Sequence, residues 1–307
     1  MTILVESRTD EPAKPPSILS TMSILNLTLV MLLIGIVWRV VDVFVLDLGA
    51  TWLNILPSKL GPLVIILVVM WRYRRHEIPT VLGLSREYAK PLVVSGVLVA
   101  LSVFMIVVVG SPVVYSLLLN PEYPLAFNVI QPGLLWYSMI FFAANGVFEE
   151  VLFRGMLQNS LRAKMAAGRA IVASALVFGV WHACWPLING APVSEWASMI
   201  VLSGLLGCMF GVYYEKFSLR TSLLGAITAH TFINFFNENI KIGPAESVQG
   251  PDFTFDDPAL TGLMAVFFLL LLAFYLIVFS KRSVRDLDRA LRTAMGRVQS
   301  GLRFHRA

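Results

Sequence analysis

The stretch LLWYSMIFFAANGVFEEVLFRGML, residues 134–157, is long and apolar enough to be a bilayer-spanning helix, yet it holds Glu149, Glu150 and Arg154. A spanning helix takes about twenty mostly apolar residues. A charged side chain at mid-bilayer costs about 2.5–3.5 kcal/mol even on a lenient insertion scale. Three such groups within six residues therefore need partners or a purpose. Helical geometry offers a partial answer: Glu150 and Arg154 stand i,i+4 and share a face, so they can pair. Glu149 is turned about 100° from Glu150 and points elsewhere.

The rest of the chain fits a lipid environment. Of its 307 residues 57% are hydrophobic and 14% charged, with a mean hydropathy of +0.76. Soluble domains carry about 25% charged residues. Eight apolar segments are long enough to be spans: 23–47, 54–71, 90–110, 134–157, 169–186, 195–214, 221–237 and 258–280. The second contains Pro57 and Pro62 and is expected to be broken or tilted. Helices are the expected state, because each satisfies its own backbone hydrogen bonds in lipid. The fold class is thus all-α, a polytopic bundle of about eight transmembrane helices over 23–280. The first residues are polar and Pro-containing, without the short apolar run of a signal peptide. Residues 1–22 read as a disordered cytoplasmic tail.

Basic residues set the orientation. Arg72, Arg74, Arg75, Arg86 and Lys90 lie in one loop, Arg162, Lys164 and Arg169 in another, and Lys216 and Arg220 in a third. The tail after 280 carries eight more. Lys59 and Lys241 are nearly all that the other loops hold. The alternation puts both termini in the cytoplasm, so the net charge of +5 is a topology signal with no need of nucleic acid. In 281–307, Val284, Leu287, Leu291, Met295, Val298 and Leu302 recur at helical spacing between arginines, the pattern of a basic amphipathic helix on an anionic leaflet. Ser203, Gly207 and Gly211 repeat every four residues, a close-packing face between helices. Arg39 and Asp42, three apart, read as a structural ion pair in the first span. Cys184 and Cys208 have no metal or disulfide spacing and read as packed free thiols.

The other intramembrane polar groups agree in depth. Glu149 lies about ten residues before a basic loop, His182 thirteen after Arg169, and His230 and Asn234 nine and thirteen after Thr221. At about 1.5 Å per residue, all sit roughly 14–20 Å from the cytoplasmic edge. Helix packing alone would not impose a shared level. A carboxylate, two imidazoles and an amide at one depth can supply a general base, its partner and oxyanion donors. His230 and Asn234 are i,i+4, so both can face one cavity. Phe178 and His182 are also i,i+4, which places a ring beneath the imidazole.

These residues carry a family resemblance. EEVLFRG, FGVWH and HTFIN resemble, in order, the EExxxR, FxxxH and HxxxN motifs of the CPBP (CAAX protease and bacteriocin processing) intramembrane proteases, whose eukaryotic members are the Ras-converting CAAX endopeptidases. The resemblance covers about 134–237. It implies that Glu149 activates water with His182, that His230 and Asn234 stabilise the oxyanion, and that Glu150 and Arg154 position the site. It implies a membrane protein or lipidated peptide as substrate and an integral membrane location, the inner membrane if the source is bacterial. A metal-free glutamate mechanism is the favoured expectation. Zinc on Glu149, His182 and His230 is the alternative, with no HExxH helix present. A non-catalytic scaffold or immunity-type protein of the same fold is a second reading. A proton-coupled transporter is a third, disfavoured because no repeated halves are visible.

Overall fold

Apolar sequence and backbone self-satisfaction produce the expected helices. The computed structural model describes residues 17–46, 56–130, 132–183, 190–244 and 257–304. Most of the expected tail, Cys184, and the side chains of Arg39 and Asp42 lie outside the described residues. A single turn, Ile18–Thr21, is capped by Ser17, whose hydroxyl accepts from the Leu19 N–H. Helix α1 is Ile24–Val41, continued by a π-helical turn, Asp42–Leu46. Helix α2 is Pro57–Tyr73. It is continuous where a break was expected. Pro57 stands at its first position, where no N–H is needed, and Pro62 lies inside the helix without ending it. Helix α3 runs Ala89–Leu118 through a π-helical middle. Helix α4, Leu135–Glu150, passes into a π-helical segment, Val151–Gln158, and ends at Arg162.

Helix α5 is Ala167–His182 and α6 is Val193–Phe217. Helices α7, α8 and α9 are Leu224–Asn239, Pro258–Lys281 and Val284–Phe304. Helices α3, α6 and α8 are each long and apolar enough to cross a bilayer, and Ile24–Trp38 and Ala167–His182 are shorter apolar helices. The all-α expectation fits, with one short ribbon added. Strand β1, Phe127–Val129, pairs antiparallel with β2, Ile240–Ile242, in the register Asn128↔Lys241. The Asn128 amide closes this ribbon onto the Gly243 carbonyl at 2.9 Å. Three-residue strands leave no readable alternation of apolar and polar residues.

Two apolar clusters hold the bundle. One joins α1, α2 and α4 through Leu27, Met31, Ile66, Met70, Phe148 and Leu152. The other joins α3, α6, α7 and α8 through Leu92, Val99, Phe210, Ala226 and Leu272. Large apolar side chains also face outward, among them Leu33, Val68, Leu98, Leu176, Val201 and Leu270, while Glu149, Glu150, Arg154 and Gln158 face inward. An apolar exterior of this extent around an ionised interior marks a membrane protein.

The small-residue face on α6 packs as expected. A Cβ on Gly207 would stand 3.1 Å from Ala175 of α5, and one on Gly211 2.8 Å from Ile171. Gly179 of α5 is tighter: its Cβ would lie 2.5 Å from the Ile200 carbonyl oxygen of α6, a backbone atom that cannot turn away. Gly179→Ala is therefore expected to cost about 1–3 kcal/mol, the usual overpacking range. Thermal unfolding in detergent measures it, and an unchanged midpoint would contradict this packing.

The basic segments gather at one end of the bundle. Arg162 meets Glu215 at 3.0 Å, Arg220 donates to Asn159 at 3.0 Å, and Asn159 donates to the Thr80 carbonyl at 3.0 Å. Arg74 donates to the Met22 carbonyl at 2.7 Å, and Leu223 N–H to Gly83 at 2.8 Å. Helix α9 begins at the same end, with Val284 buried and Leu287 packed against the second cluster.

Candidate active site

The quoted stretch supplies the centre of the site from the last turn of α4 and its π-helical continuation. Arg154 and Glu150 are buried, at 1% and 0% side-chain exposure, and Arg154 Nη1 lies 3.0 Å from Glu150 Oε1. The expected i,i+4 pair thus forms although the widened turn begins between its members. The guanidinium also lies over the Phe178 ring at 4.1 Å and near Phe210 at 5.3 Å. Cation–π contact lowers the cost of a buried arginine. Phe178 meets His182 edge-on, with centroids 4.4 Å apart, instead of stacking beneath it. Its face is occupied by Arg154.

Glu149 points away from Arg154, as its helical position requires, and three helices converge on it. Its Oε2 lies 3.6 Å from His182 Nε2 of α5 and 3.5 Å from His230 Nε2 of α7. Its Oε1 accepts from the Lys59 ammonium of α2 at 3.1 Å. Depth arithmetic brings Glu149, His182 and His230 to one level, and the structure brings them into contact. His230 also reaches the second acid: its Nδ1 lies 2.8 Å from Glu150 Oε1. One imidazole therefore bridges both glutamates. His230 stacks on Phe210 at 5.4 Å, with the rings 17° apart.

The other ring nitrogens fix the tautomers. His182 Nδ1 lies 2.8 Å from the Phe178 carbonyl, which can only accept, so Nδ1 carries the proton. His230 Nδ1–H donates to Glu150 by the same reasoning. In the neutral form each Nε2 is then a lone pair turned toward Glu149. Glu149 Oε2 is buried and has no hydrogen-bond partner among the described residues. Buried oxygens are normally satisfied by protein or water, so this oxygen, flanked by two imidazole lone pairs, is the natural seat for a water's protons.

Asn234 sits one turn beyond His230, half-buried, and hydrogen-bonds to none of the other five residues. Its amide has no hydrogen-bond partner among the described residues. Two polar residues escaped the sequence reading. Lys59 was counted only as a stray loop cation, although it lies thirteen residues before Arg72, the same offset that places His182. Asn145, one turn before Glu149, is buried with Oδ1 unpartnered among the described residues. It stood inside the stretch, masked by more conspicuous charges. Cys208 is a free, partly buried thiol.

Residues 131–236 match the family model described as type II CAAX prenyl endopeptidase Rce1-like. The match spans about a third of the chain and contains all six motif residues and both helices, α5 and α6, between them. This segment is similar to the CAAX prenyl endopeptidases. A search of curated proteins found no match. The matched segment coincides with α4 to α7, while α2 lies outside it and still supplies Lys59 to the Glu149 carboxylate.

The zinc alternative can be tested against these side chains. Each histidine holds Nδ1 on an acceptor and turns Nε2 toward Glu149, the orientation that metal-ligating histidines adopt. Against this, the Lys59 ammonium on the same carboxylate would repel a dication. Among the described residues no three His, Cys, Asp or Glu side chains are placed to hold an ion. The donor set suits zinc in orientation and opposes it in charge.

Proposed function

We propose that the chain is an intramembrane endopeptidase that hydrolyses a peptide bond of a prenylated or otherwise lipid-anchored protein near the cytoplasmic face. One observation carries this reading: Glu149 Oε2 and the Nε2 atoms of His182 and His230 meet from three helices inside an apolar bundle. Glu149, with His182, takes a proton from the attacking water. The Asn234 amide donates to the oxyanion. His230 receives that proton from Glu149 at Nε2 and delivers it to the leaving amine, its imidazolium supported by Glu150 at Nδ1, as a carboxylate supports histidine in catalytic triads. Arg154 holds Glu150 in place for that task. Were zinc bound, Glu149, His182 and His230 would hold it, and it would supply Lewis-acid polarisation. The Lys59 charge favours the metal-free route.

Eight spans with both termini in the cytoplasm fit this site. The basic loops and the start of α9 share one end of the bundle, which supports that orientation. Helix α9 lies on the anionic leaflet through its arginines, with Met295 among its exposed apolar residues. A lipidated substrate would approach through the bilayer and extend its peptide to the level of Glu149.

The test is cleavage of a quenched fluorogenic farnesylated CAAX peptide by the purified protein in liposomes. Wild type is expected to cleave it, and His182→Ala to lose about 10²-fold or more in rate, the lower range for proton-transfer catalysis. Activity is expected to survive chelators, with substoichiometric zinc in the protein. Stoichiometric zinc, with activity lost to a chelator and restored by the metal, would overturn the metal-free mechanism. Equal activity of His182→Ala would remove histidine from the reaction.

A further inference from the structure

Lys59 is a largely buried cation on a helix outside the family core. Its side chain is 12% exposed, and Glu149 Oε1 is the acceptor it reaches, at 3.1 Å. The site otherwise contains two carboxylates, one guanidinium and two imidazoles. Among the described residues Glu150 is matched by Arg154, and Glu149 by Lys59. With Lys59 present the acids and the permanent cations of the described site balance. Without it, a buried carboxylate would lack its countercharge. Such a group neutralises by taking up a proton. That consumes the base that the reaction needs.

Geometry divides the carboxylate in the same way. Oε1 is tied to Lys59, and Oε2 faces the histidines without a hydrogen-bond partner among the described residues. We propose that Lys59 is a positioning residue that anchors Glu149 by Oε1, compensates its charge, and so dedicates Oε2 to the attacking water. This rests on Glu149 being the base. Lysine suits the position because its ammonium is a point charge on a flexible stem that reaches across from α2.

Two measurements test it. The first is kinetic, with the farnesylated peptide. Lys59→Met is expected to lower kcat about tenfold or more with KM within about twofold, since the lost interaction orients a base and holds no substrate. Lys59→Arg, which keeps the charge, is expected to recover most of the rate. The second needs no substrate. Hydrophobic carbodiimides modify neutral carboxyl groups, so mass spectrometry should find Glu149 labelled in Lys59→Met, and unlabelled in wild type and Lys59→Arg. Lys59→Met with wild-type kcat and an unlabelled Glu149 would overturn the proposal. So would a rise in KM alone, which would make Lys59 a substrate contact. A merely structural role would lower the unfolding temperature without selective labelling or rescue by arginine. Failure of the base assignment itself is a separate result, full activity in Glu149→Gln.

Discussion

Glu149→Gln is expected to lower peptide cleavage by about 10³-fold, within the range that a positioned general base contributes, while the protein still inserts and folds. Glutamine keeps the size of the side chain and a carbonyl oxygen for Lys59. It loses the capacity to take a proton from water, together with the negative charge that faces Lys59. The packing is kept, unlike an alanine substitution that would also open space beside His182 and His230. Cleavage of the farnesylated peptide gives the rate, and circular dichroism with thermal unfolding confirms the fold. In cells, comparing membrane-protein termini between wild type and Glu149→Gln should reveal ends present only with the intact carboxylate. A variant that cleaves at the wild-type rate would refute the assignment of Glu149. A scaffold role would show as a normal biological phenotype in the variant where deletion has a strong one.

Arg154→Met is expected to be the most destabilising single change at the site, by about 3–5 kcal/mol, the cost of removing one partner from a buried ion pair. Glu150 is fully buried, and among the described residues its charge without Arg154 keeps the His230 N–H as its one partner. The pair is a poor source of stability in its own right. Arg154 Nη2 and Glu150 Oε2 have no hydrogen-bond partners among the described residues, and a half-satisfied buried pair does not repay its desolvation. The double variant Glu150→Gln with Arg154→Met is therefore expected to regain much of the lost stability, because no uncompensated charge remains. It should not regain activity, since His230 loses the carboxylate at Nδ1. Unfolding in detergent and the peptide assay check the two halves. A loss below about 1 kcal/mol in the single variant, as for exposed pairs, would show that the pair is solvated.

Much of this arrangement was legible in the chain. The i,i+4 spacing of Glu150 and Arg154 requires a shared face, and the structure pairs them. The offset of each polar residue from its nearest basic loop gave a common level, and Glu149, His182 and His230 meet there. Ser203, Gly207 and Gly211 announced the close approach of α6 to α5. These features depend on helical periodicity and constant rise, which local sequence dictates. Lys59 shows how the same rule was underused: its offset from Arg72 matched that of His182, but near two prolines it was read as part of a loop. The β1–β2 ribbon escaped for another reason. It joins residues more than a hundred positions apart, and each strand is too short to carry a period.

The sequence by itself determined an all-α, lipid-facing chain, a buried acid–arginine pair, and a second acid turned to another face. Only the tertiary structure decided what that second acid meets. Helix rotation about its axis and the choice of neighbours are set by side-chain packing between distant segments, as when Gly179 admits the α6 backbone beside α5. That packing placed Lys59 on one oxygen of Glu149 and two imidazoles at the other. It also let His230 touch both glutamates, an arrangement that no spacing within a single helix can specify.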